Sequence, residues 1–345
     1  MNAINFPLEM SVNRLCTQMS QDPFLVQGAG GNVSSKDSDV MWIKASGTCL
    51  SQAMEKNIFV PVDLKSMNEA FLLDDYSFTP QVLGEFSLRP SIETLLHGLM
   101  SHKIVIHLHL ISALVHLVKK DARAIISKLI GGAFSWDFID YCKPGSELAE
   151  AVSVALKSND KLDVIFLGNH GVVVGAGTVD EAAKLVTLLD MLMGRDSLIN
   201  DLATKTHGIA AGIPIDGFDW CPIPSLHILA QNDSRLEIVR DSWALFPDHV
   251  VFLGEKALIV DELNGLINMS LGRLANEAFI FVRGLGILQN NDVTNTQLEQ
   301  LMCYHHVISN LDSHAPLRCL SRQEIASLLN WDAEVYRQSM SKEQK

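Results

Sequence analysis

The sequence contains no Cys-x-x-Cys pair, no run of lysines and arginines, and no uninterrupted apolar stretch long enough to cross a bilayer. Its six cysteines, Cys16, Cys49, Cys142, Cys221, Cys303 and Cys319, are scattered along 345 residues, which fits reduced thiols and excludes a zinc ribbon or a disulfide framework. Any metal must therefore be held by other ligands. Basic residues number 27 against 40 acidic ones, a formal net charge of -13, so nucleic acid is not an expected partner: affinity for a phosphate backbone needs a basic surface. The most apolar segment, 104–118, is broken by three histidines and is shorter than the roughly 20 residues of a spanning helix. The start, MNAINFPLEMSVNRL, has neither the basic residues nor the apolar run of a signal peptide. A cytoplasmic protein with no membrane partner is the expectation. What the chain does have is 48% hydrophobic residues with 19% charged, enough to bury a core in one large or two ordinary domains.

Helix and strand signals alternate through the first 208 residues. The patterning predicts a helix over 2–20, strands over 24–27 and 40–44 around a Gly-rich turn at 28–31, a helix over 91–101 with Ser91 as its N-cap, and a strand over 103–110. Further on it predicts a helix over 144–157, strands over 164–167 and 172–174 about a turn at 168–171, and a helix over 179–192. Between 209 and 225 glycines and prolines interrupt every periodic pattern, so this stretch reads as a linker between a unit at 1–208 and a second at 226–345. The second unit has strand candidates at 250–253, 257–260 and 278–282 and helix candidates near 271–276, 296–309 and 321–329. The class is α/β or α+β.

His107 and His109 stand two apart in Ile-Val-Ile-His-Leu-His-Leu, so in a strand both rings project from one face, a spacing suited to joint metal coordination. His170 sits at a Gly-flanked turn between two apolar runs. Three imidazoles without a thiolate leave a divalent ion an open coordination position, as in catalytic sites, although each histidine alone is also what a packed core provides. Glu93 falls in the first turn of the helix that feeds the histidine strand, where it serves either the helix dipole or proton transfer beside a metal. His97, one helical turn after Glu93, reads as packing, and the adjacent His305 and His306 as a solvated pair. The loop 28–34 is not a dinucleotide fingerprint, because Val33 replaces the third glycine; its amides and the Asn32 side chain suit either a tight turn or an anion nest. Lys44 to Thr48 is a similar small hydroxyl and glycine turn.

Taken in order, Gly30 to Ser34, Lys44 to Gly47, Pro90 to Glu93, His107 to His109 and Asn169 to Gly171 resemble the motifs of the class II aldolase/adducin family over roughly residues 7–205. That family includes the zinc-dependent aldolases of L-fuculose 1-phosphate and L-rhamnulose 1-phosphate. Phe281 to Gly286 and Leu329 to Asp332 look like the tail of the longer aldolase module of bifunctional rhamnulose-phosphate aldolase/alcohol dehydrogenases, with no dehydrogenase half among these residues. The resemblance implies a three-layer α/β/α sandwich around a mainly antiparallel sheet, with a smaller C-terminal α/β unit and assembly as a homo-oligomer, a tetramer. It implies that His107, His109 and His170 hold Zn²⁺ or another divalent metal, that Glu93 is the general acid/base, and that Gly31, Asn32, Ser46, Gly47 and Ser91 line the substrate's phosphate. Ile92 stands where the family usually has a second hydroxyl residue, which removes one donor. Tyr141 falls where a fuculose-type aldolase has a tyrosine that reaches a neighbouring subunit's site. The implied activity is metal-dependent cleavage of a ketose 1-phosphate, or a related hydroxy-carbonyl sugar derivative, through an enediolate. A dehydratase or 4-epimerase of the same superfamily and a non-catalytic adducin-like module are the alternatives. Epimerases carry Asp where Glu93 stands, and adducin-like modules tend to lose the histidines.

Overall fold

The computed structural model of the protein describes residues 10–198, 216–267, 274, 277–312 and 315–342. Short β-branched and apolar runs, separated by polar and glycine turns, build a seven-stranded sheet: β1 (Asn32–Asp37), β2 (Val40–Lys44), β3 (Phe59–Asp63), β4 (Ile104–Leu108), β5 (Trp136–Ile139), β6 (Val164–Leu167) and β7 (Gly171–Ala176). The strand order is β3-β2-β1-β4-β7-β6-β5, and every neighbouring pair is antiparallel except β5 with β6. The chemically important β4 is thus central.

Because side chains alternate across a strand, β4 feeds two cores. Ile104, Ile106 and Leu108 face a layer containing the helices Met10–Ser20, Ile111–Leu117, Ala122–Ile130 and Val179–Leu192. Val105, with Ile165 and Val173, meets Leu96 of helix Thr94–Leu99 and Leu148 and Val152 of helix Ser146–Ser158 on the other face. Helices therefore cover both faces of a mainly antiparallel sheet, which is the expected three-layer arrangement.

A second sheet, ordered β8-β11-β10-β9, is formed by β8 (Phe218–Trp220), β9 (Leu258–Val260), β10 (Phe279–Val282) and β11 (Gly286–Asn290). Strand β8 lies inside the stretch 209–225; residues 209–215 of that stretch lie outside the described residues, as do 2–9 of the helix expected over 2–20 and most of the helix expected near 271–276. Val260, Ile280, Val282 and Leu288 make a small cluster of their own, but Phe281, Ile287, Leu301 and Tyr304 join the main core. The C-terminal part is a smaller sheet unit packed against the first.

Three local expectations are corrected. Residues 24 and 25 lie in a turn and 26 and 27 in irregular backbone, because Asp22 accepts from the Phe24 amide at 2.9 Å and the Gln27 side chain donates to the Pro23 carbonyl at 2.7 Å, satisfying backbone groups without a ladder. Residues 250–253 belong to helix Pro247–Leu253: Pro247 starts the helix with its fixed φ, and packing against helices Asn295–Ser309 and Arg322–Leu329 overrides the β-branched run. His305 and His306 are 0% and 4% exposed, so they are buried and not solvated. All six cysteines are free thiols. Among the described residues no helix is long and apolar enough to cross a membrane.

Candidate active site

Strand β4 ends at Leu108, so His107 is the last histidine in the ladder and His109 lies just beyond it. Strand alternation alone does not place both rings; the chain leaving β4 does. Their Nε2 atoms come to 3.1 Å. His107 Nδ1 donates to the Val172 carbonyl across the β4–β7 pair at 3.1 Å, which leaves Nε2 as the lone-pair nitrogen. His170 is presented by the three-residue loop between β6 and β7, where Leu167 faces Gly171. The turn needs a left-handed residue, and Asn169 takes φ 52°, a conformation asparagine tolerates, while its amide donates to the Leu245 and Arg318 carbonyls at 2.8 and 2.7 Å. Gly171 completes the approach: a Cβ there would lie 2.4 Å from the Leu108 carbonyl and 3.1 and 3.2 Å from the rings of His107 and His109.

The ligand atoms of the three buried imidazoles all lie within 4.8 Å of one another. Tetrahedral zinc bonded to nitrogens at about 2.0–2.1 Å places them about 3.3 Å apart, close to the spacing of His107 and His109. Burial draws His109 down to about 4 and His170 to about 3, so both rings are neutral at neutral pH, the form that ligates a metal. The residues present fit a divalent ion.

Glu93 precedes helix Thr94–Leu99 without capping it, so its carboxylate is turned toward the imidazoles instead of the helix amides. Oε2 lies 3.5 Å from His107 Nε2 and Oε1 3.5 Å from His170 Nε2. Asn32 Nδ2 donates to Oε2 at 2.7 Å, while Oε1 has no hydrogen-bond partner among the described residues. Burial raises this carboxyl, while the Asn32 amide bonded to Oε2 lowers it. His97, which the sequence presents as a packing residue, orients Asn32: its Nε2 donates to Asn32 Oδ1, and its Nδ1 accepts from the Ser34 hydroxyl at 2.8 Å. Burial keeps His97 neutral, at about 3, which that donor and acceptor pattern requires.

Gly31, Asn32, Ser46, Gly47 and Ser91 do converge, together with Lys44, Ile92, Glu93, His109 and His170, on one cavity with about 30 Å³ of open volume. Two of its walls come from far along the chain and were missed in the sequence: Asp248 and Arg337. Asp248 Oδ2 lies 3.4 Å from His109 Nδ1, and Oδ1 meets Arg337 Nη2 at 2.9 Å. A carboxylate behind an imidazole fixes its tautomer and ring orientation. The signal was present, since Asp248 is the only carboxylate in the apolar run 243–253, but nothing in the sequence connects that run to His109. Asp248→Asn is expected to weaken metal binding about 10- to 100-fold while the folded structure persists. A competition titration with a chromogenic chelator measures it, and wild-type affinity would remove Asp248 from the site.

Tyr141 is not brought to the histidines of its own chain. It lines a separate cavity of about 690 Å³ with Lys119, Arg123 and Arg318, the Arg318 guanidinium lying 5.1 Å from the ring centre.

The profile of the class II aldolase and adducin N-terminal domain matches residues 11–194. The chain belongs to this family. A curated relative, described as the uncharacterized oxidoreductase YuxG of Bacillus subtilis (strain 168), is 24% identical over 199 residues, which are 53% of this chain and 28% of that protein. The chain therefore matches little more than a quarter of that relative's length. The N-terminal class II aldolase domain of a conserved protein from Thermoplasma acidophilum is 22% identical, with a TM-score of 0.46 covering 57% of this chain and 97% of that one. An L-fuculose-1-phosphate aldolase from Thermus thermophilus is 17% identical, with a TM-score of 0.38 covering 54% and 93%. Within the family's segment lie all three histidines, Glu93, Tyr141 and the two small-residue turns; Asp248 and Arg337 lie outside it.

Proposed function

We propose that the protein is a metal-dependent class II aldolase that cleaves a ketose 1-phosphate or a related hydroxy-carbonyl sugar derivative. The observation that carries this reading is the buried triad of imidazoles with the Glu93 carboxylate 3.5 Å from two of them. A divalent ion held by His107, His109 and His170 would supply Lewis-acid stabilisation, worth several kcal/mol, of the negative charge that develops on the ketose oxygens. Glu93 moves the proton at the carbon left electron-rich when C3–C4 breaks, and Asn32 holds its carboxylate in place through Oε2. Ser46, Ser91 and the Gly31 and Gly47 turns receive the far end of the substrate with neutral donors. No lysine is required to form a Schiff base.

Zinc is the first candidate for the ion. The test is metal analysis of the purified protein alongside a screen of ketose 1-phosphates for aldehyde release. About one divalent ion per chain, and release that stops on chelation and returns with metal, is the expected result; full activity in chelated protein would overturn the reading. In a homo-oligomer Tyr141 would serve the oxygen of the departing aldehyde in a neighbouring subunit's site. Tyr141→Phe is then expected to lower kcat about 10-fold or more with metal content unchanged. An unaltered kcat would remove Tyr141 from the reaction.

A further inference from the structure

The cavity between the histidines and the Ser46-Gly47 turn is closed by helix Asp332–Lys342, which lies outside the segment that defines the family. The contact is close. Gly47 takes φ 77°, and a Cβ there would lie 2.6 Å from Met340 Cβ and 3.8 Å from Arg337 Cα, so the turn and the helix are fitted to each other. Arg89 pins the start of the helix, its guanidinium 4.5 Å from the Tyr336 ring centre and its Nη1 3.3 Å from Asp332. Arg337 is 8% exposed and reaches into the cavity beside Lys44.

We infer that Arg337 is a specificity residue that binds a terminal oxyanion, phosphate or carboxylate, of the substrate at the Ser46-Gly47 turn; this rests on the aldolase reading above. Three observations support it. Ile92 lines the cavity with an apolar side chain that offers no donor, and Ser46 Oγ is buried with no hydrogen-bond partner among the described residues. Lys44 and Arg337 place two cations around one small cavity, so with a divalent ion on the histidines the positive charge exceeds that of Glu93, Asp248 and Glu334 even when all three carboxyls are ionised. A guanidinium carries five N–H donors in a planar fork, more than its present contacts consume: Nη1 faces Glu334 at 2.9 and 3.1 Å and Nη2 faces Asp248 at 2.9 Å. An entering oxyanion takes over the donors now turned to Glu334, a buried carboxyl whose own burial pushes it up and so weakens its hold as a charge.

The experiment measures binding of three probes to zinc-loaded protein by calorimetry: dihydroxyacetone phosphate, hydroxypyruvate and the uncharged dihydroxyacetone. Wild-type protein is expected to bind at least one of the two anions more tightly than dihydroxyacetone, and which of them does so distinguishes phosphate from carboxylate. Arg337→Gln should weaken that anion about 10- to 100-fold, the scale of lost charge-assisted hydrogen bonds, with dihydroxyacetone affinity and zinc content unchanged. Arg337→Lys, which keeps the charge but not the fork, should lose less. If Arg337→Gln weakens all three probes alike, or none, Arg337 is a clip that holds the helix and the inference is overturned. If wild-type protein binds dihydroxyacetone as tightly as the anions, the inference fails while the aldolase reading stands. If it binds none of the three, both fail together.

Discussion

Glu93→Gln is expected to leave zinc bound and the fold intact while lowering turnover by about 100-fold or more, the scale of a lost general acid/base. Glutamine preserves the side chain's length, and its amide oxygen accepts from Asn32 Nδ2 as the carboxylate Oε2 does now, at 2.7 Å. The change removes the proton-carrying oxygen and little else. The carboxylate is suited to this role by its isolation: it is 4% exposed, Oε1 has no hydrogen-bond partner among the described residues, and no basic side chain forms an ion pair with it there other than the imidazoles. A merely structural Glu93, serving the dipole of helix Thr94–Leu99, would bond to the helix amides, and no side-chain cap bond is present. Turnover and zinc content measured on the same preparation decide the matter: a wild-type rate would dismiss Glu93 from the mechanism, and a loss of zinc in parallel with rate would make it a ligand-ordering group.

The second large effect is on the metal itself. His107→Ala and His109→Ala are each expected to weaken zinc binding by more than about 100-fold, beyond the 10- to 100-fold scale of a lost supporting group such as Asp248. The geometry gives the reason. The two Nε2 atoms lie 3.1 Å apart in a buried pocket, His107 is already oriented by its hydrogen bond to the Val172 carbonyl, and the Asp248 carboxylate lies 3.4 Å from His109 Nδ1, so little ordering remains to oppose binding. Two imidazoles left in the pocket cannot hold the ion in the same way, and alanine adds no donor. Zinc per chain by mass spectrometry of the purified variants, with circular dichroism as a check of folding, measures the effect. Full occupancy in both variants would show that the ion sits elsewhere.

Much of this site is legible from local pattern. The elements that carry His107 and His170 are short apolar strands with Asn and Gly at their turns, and near-neighbour rules place such strands because side-chain alternation and turn chemistry act over a few residues. The ordered motifs from Gly30 to Gly171 likewise name the turns that do converge on the cavity. Legibility fails where a residue's role depends on what lies across space. His97 has the spacing of a packing residue, and only its meeting with Asn32 and Ser34 makes it an orienting group. His305 and His306 look polar enough for solvent but are covered because their helix packs into the shared core.

What the sequence by itself determined is the chemistry available: three histidines, one glutamate, two small-residue turns, thiols too scattered to compete for the metal, and a family resemblance carried by five short motifs. These are properties of residue type and short spacing. What only the tertiary structure decided is which groups surround that chemistry. Asp248 is 139 positions from His109 and Arg337 is 291 positions from Ser46, and no periodicity or turn rule spans such distances; their places are fixed when helix Pro247–Leu253 buries its apolar residues in the core and helix Asp332–Lys342 turns Glu334, Arg337 and Ser341 inward. Burial then sets the charge states, keeping His109 and His170 neutral and drawing Asp248 into a pair with Arg337, because in a dry cavity an unpartnered charge costs several kcal/mol and a partnered one persists.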